Sequence, residues 1–186
     1  MHVRTLTAAA AAVLAVAVQT AGAQAVAAPA EADRVPAARI LTYDARGAAE
    51  FRTAVDRGAQ VWNDTVASVE LRPAAAGRWA DIRVLADNGW PRALTTSLGN
   101  GTVYMGRQAV QQGYDTVRIA AHEFGHILGL PDRKPGPCSS LMSGSTAGTA
   151  CTNPYPDAVE RARVEANFGG SAAAAAAEPP VAAIVD

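Results

Sequence analysis

DTVRIAAHEFGHILGLPD, residues 115–132, carries apolar residues at Val117, Ala121, Phe124 and Leu128. Recurrence at three- to four-residue spacing predicts a helix from Thr116 to about Leu128 with one buried face. Asp115 or Thr116 stands where a helix start needs a cap. Gly129 and Pro131 end the helix. His122 and His126 are four residues apart, so they share a face with Cβ atoms about 5–6 Å apart. Two imidazoles so placed can hold one metal ion, each at about 2.0–2.1 Å. Glu123 lies one step round the helix. It flanks such an ion rather than binding it, where it can act as a base toward a water.

The ends of the chain sharpen this. Met1 to Arg4 is a short positive start, followed by an Ala/Val/Leu run to about Val18 and by Ala21-Gly22-Ala23. That is the layout of a secretory signal peptide over residues 1–23. The run is short for a membrane span, which needs about 20 apolar residues. Residues 24–37 carry neither helical nor strand periodicity and read as a propeptide or linker. Residues 170–186 hold an alanine run and Glu178-Pro179-Pro180 and read as a disordered tail. The globular domain is then residues 38–169. The 49% hydrophobic content is inflated by alanine at the two ends and does not measure core size. A net charge of -1 with 18% charged residues leaves no basic face for nucleic acid. No membrane partner is expected either, and the domain is expected to be a monomer. Of three histidines in the whole chain, export would remove His2 and leave only the pair on the helix.

A catalytic zinc site normally has three protein ligands. With no histidine left, cysteine is next, but an exported chain normally pairs two cysteines separated by a short loop. Cys138 and Cys151 are therefore expected to form a disulfide. A carboxylate remains. Gly129 allows a sharp turn, and Leu130-Pro131-Asp132 then returns Asp132 toward the histidines. Glu160 and Glu165, farther along, are the alternatives. An aspartate ligand would leave zinc with a net charge of +1 instead of +2.

Outward from the motif, Arg39–Tyr43, Val69–Leu71, Asp81–Leu85, Arg92–Ser97 and Thr102–Met105 read as strands. Gly99-Asn100-Gly101 reads as a turn between the last two. Ala48–Ala67 reads as a helix with Phe51, Val55, Ala59, Trp62 and Val66 on one face. Asp157–Phe168 reads as a last helix. The order predicts an α/β (α+β) single domain, a mixed sheet packed on two long helices with a C-terminal helix after them. Trp62, Trp79 and Trp90 are read as packing residues.

His122-Glu123-x-x-His126-x-x-Gly129-x-x-Asp132 resembles the extended zinc motif of metzincin peptidases. With Gly136-Pro137-Cys138 and Leu141-Met142-Ser143-Gly144, it is similar to the snapalysin family of small secreted bacterial neutral proteases. The resemblance implies a metzincin-like fold and a zinc endopeptidase acting on proteins or peptides, with Glu123 as catalytic base. It implies a preference for an aromatic residue just after the cleaved bond. It makes Met142 the methionine of the Met-turn under the metal. It places a specificity pocket between the active helix and the Met142–Tyr155 segment, with Tyr155 at it. It implies an edge strand for an extended substrate, for which Thr102–Gly106, with Thr102 and Tyr104, is the candidate. A calcium site formed by Asp115 and the Val117 carbonyl is also implied. Two positions depart from the family, and the first is Val117, where the relatives carry threonine: a main-chain oxygen survives that change and a hydroxyl does not. Lys134, the second, stands where the relatives carry tyrosine, and it either brings positive charge to the site or faces solvent. The rival reading is a secreted zinc-binding module without catalysis.

Overall fold

In β1 (Arg39–Gly47), Leu41 and Tyr43 alternate with less buried neighbours, the period of a strand with one face in the core. The chain is described here by a computed structural model covering residues 37–169 and the backbone of Ile184–Val185. The expected signal peptide, the linker up to residue 36 and most of the expected tail lie outside the described residues. After β1, a short 3-10 turn at Ala49–Phe51 leads into α1 (Arg52–Thr65), which buries Val55, Ala59 and Trp62. Then come β2 (Val69–Pro73), β3 (Ile82–Asp87), β4 (Arg92–Ser97) and β5 (Asn100–Gly106). A short helix that the sequence does not signal, α2 (Arg107–Gln111), precedes α3 (Thr116–Ile127). A 3-10 segment at Leu141–Ala147 and helix α4 (Ala158–Gly169) follow, and Ile184–Val185 forms β6.

The sheet order is β2-β1-β3-β5-β4-β6. Pairs β1/β2, β1/β3 and β3/β5 are parallel, and β4 runs antiparallel to β5. The domain is thus mixed α/β, as the element order implies. Helices α1 and α3 pack against each other, with α1 against β2 and α3 against β4 and β5. Their crossing is close because Gly58 has no side chain. A Cβ there would meet Ala120 Cβ and Ala121 N at 2.8 Å. The Trp62 Nε1–H donates to the Ala121 carbonyl at 2.8 Å, so the fully buried indole locks α1 to α3 with its one polar atom satisfied.

One expectation is corrected here. Thr102–Gly106 is not an edge, since β5 lies between β3 and β4 and is hydrogen-bonded to both. Thr102 pairs with Arg83 on one side and Leu94 on the other, and Tyr104 with Leu85 and Arg92. The reason is the turn ending at Asn100, where Gly99 adopts φ +83° and folds β4 back onto β5. Beyond β5 the sheet continues through β4 to the two-residue β6, where Ile184–Val185 pairs with Arg92 and Ala93. Trp79 is 87% exposed and packs no core, against the expectation for it.

Candidate metal centre

Helix α3 starts at Asp115, whose carboxylate accepts from the Arg118 N–H at 2.8 Å. From Arg118 to Ile127 every residue is buried, so both histidines and Glu123 lie inside the protein. The helix stops at Gly129 (φ +87°). The Leu130 N–H returns to the Gly125 carbonyl and the Gly129 N–H to His126, closing the last turn. A Cβ on Gly129 would lie 2.6 Å from the Asn167 side chain. Glycine is therefore required both by its backbone angle and by space. The reversal carries Asp132 back over the helix.

The two imidazoles have defined tautomers. His122 Nδ1 lies 3.0 Å from the Leu141 carbonyl and His126 Nδ1 2.8 Å from the Leu130 carbonyl. A carbonyl only accepts, so each Nδ1 carries the proton and each Nε2 presents a lone pair. The two Nε2 atoms are 3.1 Å apart, and Asp132 Oδ1 lies 3.3 and 3.4 Å from them. Three electron-pair donors thus face one point. Zinc at about 2.0–2.1 Å from each of three tetrahedral ligands would set their separations at about 3.3 Å. The triangle has that size, so the donor set fits the ion in both chemistry and spacing. Among the described residues, His122, His126 and Asp132 form the one group of three or more such side chains close enough to share a metal.

The ligand alternatives are engaged elsewhere. Glu165 accepts from the Ala67 and Ser68 N–H groups. Glu160, fully buried, accepts from Ser140 Oγ, the Leu141 and Met142 N–H groups and the Asp157 N–H. The segment it holds carries the carbonyl that fixes His122. Arg118 grips the same segment from α3, donating to the carbonyls of Ser140, Leu141 and Asn153 and to Ser143 Oγ. The sequence reading misses Arg118. Its signal is a charged residue one turn before His122 on a helix with an apolar stripe. Met142 is fully buried, and a Cβ on Gly125 would come within 2.6 Å of its sulfur, so Met142 packs directly under the histidine turn. Cys138 and Cys151 form the expected disulfide.

Lys134 turns toward the site. Its Nζ lies 3.2 Å from Asp132 Oδ2, with the lysine side chain 24% exposed. Asp115 serves as the helix cap, and nothing among the described residues groups Asp115 and Val117 with further metal-ligating side chains. A pocket of about 310 Å³, its mouth included, opens beside His122. Its walls include Trp90, Ala109, Tyr114, Ile119 and Ser145. Tyr155 is not among them. It borders a separate groove with Arg57, Asp64 and Val117. Tyr104 on β5 stacks under the Arg92 guanidinium at 3.9 Å.

Comparison with known proteins gives three findings. The sequence model of the family described as Streptomyces extracellular neutral proteinase (M7) matches residues 38–169. The chain is 46% identical over 128 residues to an extracellular small neutral protease of Streptomyces caespitosus, covering 68% of this chain and 94% of that protein. It is 44% identical over 130 residues to the protein of that name from Streptomyces lividans, of which the match spans 56%. A crystal structure of archaemetzincin from Methanopyrus kandleri superposes with a TM-score of 0.43 at 11% identity, covering 71% of this chain and 96% of that one.

Proposed function

The chain belongs to the Streptomyces extracellular neutral proteinase (M7) family, and from that premise we propose that His122, His126 and Asp132 hold its zinc and that Glu123 moves the proton in peptide hydrolysis. It is a secreted zinc metalloendopeptidase acting on proteins or peptides. Among the described residues, no helix is long and apolar enough to cross a membrane. The observation that carries the site assignment is the convergence of two Nε2 lone pairs and Asp132 Oδ1 at 3.1–3.4 Å.

When bound there, zinc supplies Lewis acidity, polarising a carbonyl oxygen and lowering the pKa of a water from 15.7 toward about 7. The chain's own groups do the rest. The Leu141 and Leu130 carbonyls keep both Nδ1 atoms protonated, so both Nε2 atoms remain ligands. The Glu123 carboxylate, fully buried, takes the proton of the attacking water and delivers it to the leaving amine nitrogen. Met142 supports the histidine turn by packing and does no chemistry.

The pocket beside His122 supports a preference for an aromatic residue after the cleaved bond. Trp90 and Tyr114 meet edge to face at 5.8 Å in its wall, and an entering aromatic ring can add to such a pair. The stretch of β4 beyond its pairing with β6, residues 94–97, supports backbone pairing with an extended substrate. Ile184–Val185 already pairs with Arg92 and Ala93, so a peptide reaching that end of the strand must exchange with it.

The test is digestion of casein and of a mapped peptide set by the purified protein. Activity should vanish with chelator and return with zinc. Glu123→Ala should keep its zinc and lose about 10²–10⁴ in rate. A zinc-loaded wild type that cleaves nothing would refute the enzyme. Cleavage sites without an aromatic bias would remove the specificity assignment alone.

A further inference from the structure

We propose that Lys134 is a positioning residue of the metal centre, holding the outer oxygen of Asp132 so that the carboxylate offers a single oxygen to the ion. This rests on the ligand set proposed above. The two Asp132 oxygens have different surroundings. Oδ1 faces His122 and His126 Nε2 at 3.3 and 3.4 Å, while Oδ2 faces Lys134 Nζ at 3.2 Å. A carboxylate can bind an ion through one oxygen or both, and five-coordination is within reach of catalytic zinc. An ammonium on Oδ2 takes the electron pairs that a second bond would use, and it pulls the carboxylate plane away from chelation. The backbone between the two residues is pinned, because the Arg133 N–H donates to the Met142 carbonyl at 2.7 Å. The reach of Lys134 to Oδ2 is therefore short and fixed at its base.

The charge argument points the same way. Zinc with two neutral imidazoles and one carboxylate carries net +1, and the adjacent ammonium brings the local total to +2. That matches the charge of a three-histidine zinc site. Lys134 thus supplies both monodentate geometry and the positive field that an aspartate ligand would otherwise reduce. The pair is not deeply buried, with the lysine and aspartate side chains 24% and 23% exposed. Removing the lysine therefore leaves the fold intact, since pairs with water access add little to stability.

The experiment compares wild type, Lys134→Met and Lys134→Arg as full chains stripped of metal and titrated with Co²⁺ alone. Thermal melts serve as the folding control. Wild type and Lys134→Arg are expected to show the intense visible band of four-coordinate Co²⁺. Lys134→Met should bind the ion with a weaker, shifted band, as Oδ2 joins the coordination. With zinc restored, kcat of Lys134→Met should fall about 10–100-fold at unchanged KM. A Lys134→Met spectrum identical to that of wild type overturns the proposal, and so does a five-coordinate wild type. Loss of Co²⁺ binding in a folded Lys134→Met also overturns it, because the lysine would then be needed for more than orientation. A wild type that takes up no Co²⁺ refutes the ligand set itself, a failure distinct from the others.

Discussion

Replacing Cys138 and Cys151 together by alanine removes a link between positions 13 residues apart. On the chain-entropy account, closing a loop of that size restricts the unfolded chain by about 3 kcal/mol at 25 °C. A domain of the size of residues 37–169 unfolds with an entropy of about 0.28 kcal/mol/K. The expected fall in Tm is therefore about 10 °C. Inside the loop, Leu141 and Met142 have anchors that do not need the bridge. Glu160 accepts from their N–H groups at 3.0 Å, and Arg118 binds the Ser140 and Leu141 carbonyls at 2.8 and 3.3 Å. The folded position of the Leu141 carbonyl, and with it the tautomer of His122, should survive. Calorimetry of the metal-free double variant should show the full drop in Tm. Chelator competition should show zinc affinity unchanged to within about 0.5 kcal/mol, the margin for sites that do not interact. A drop below about 3 °C would put the contribution of the bridge near 1 kcal/mol and refute the entropic estimate. A tenfold loss of zinc affinity would refute the independence of the two anchors.

Gly125→Ala places a Cβ 2.6 Å from the Met142 sulfur and 3.3 Å from Trp62 Cζ2. Overpacking of about 1–3 kcal/mol should exceed the helix-propensity gain of about 1 kcal/mol, so the variant should melt below wild type; a melt at or above it would mean that Met142 is free to move aside. Tyr43 gives a test at high pH. Burial first, then the hydrogen bond it donates to Asp56 Oδ1 at 2.8 Å, then the charge of that carboxylate, push its phenol well above the usual 10. A folded value raised above the unfolded one contributes stability that is full below pH 10 and is lost as pH rises toward the folded value. Urea unfolding of Tyr43→Phe should therefore decline less steeply above pH 10 than that of wild type, and equal slopes would exclude Tyr43 as the source.

The helix with the candidate metal ligands is readable because several local signals agree there. Its apolar spacing, the capping Asp115, the stop at Gly129 and the paired histidines all belong to one short stretch. The strands were readable from alternation, including β1 and β3, whose inward residues are fully buried. Their order was not. A strand's own pattern shows which face is buried but not which neighbours it has, and so β5 was taken for an edge although it lies inside the sheet. Tyr155 is placed at the pocket by the family resemblance alone; in the fold it borders a groove with Arg57, Asp64 and Val117. Lys134 was open between two readings because a lysine in a loop carries no periodicity. Only the return of the chain after Gly129, which brings Asp132 over the helix, gives it a partner.

The same limit applies to the two buried charges behind the site. Arg118 is 5% exposed and Glu160 2%, and burying such groups costs several kcal/mol unless their hydrogen bonds are made. Both spend those bonds on one short piece of backbone. Arg118, from α3, takes the carbonyls of Ser140 and Leu141, while Glu160, from α4, takes the N–H groups of Leu141 and Met142. Opposite charges on opposite ends of the same peptides orient them as a dipole would be oriented between two plates. The Leu141 carbonyl is left facing His122 Nδ1 at 3.0 Å. The burial cost is thus offset by bonds whose result is the correct protonation of a metal-facing imidazole. In this protein the segment under the histidines is held by charge from two helices as well as by the packing of Met142.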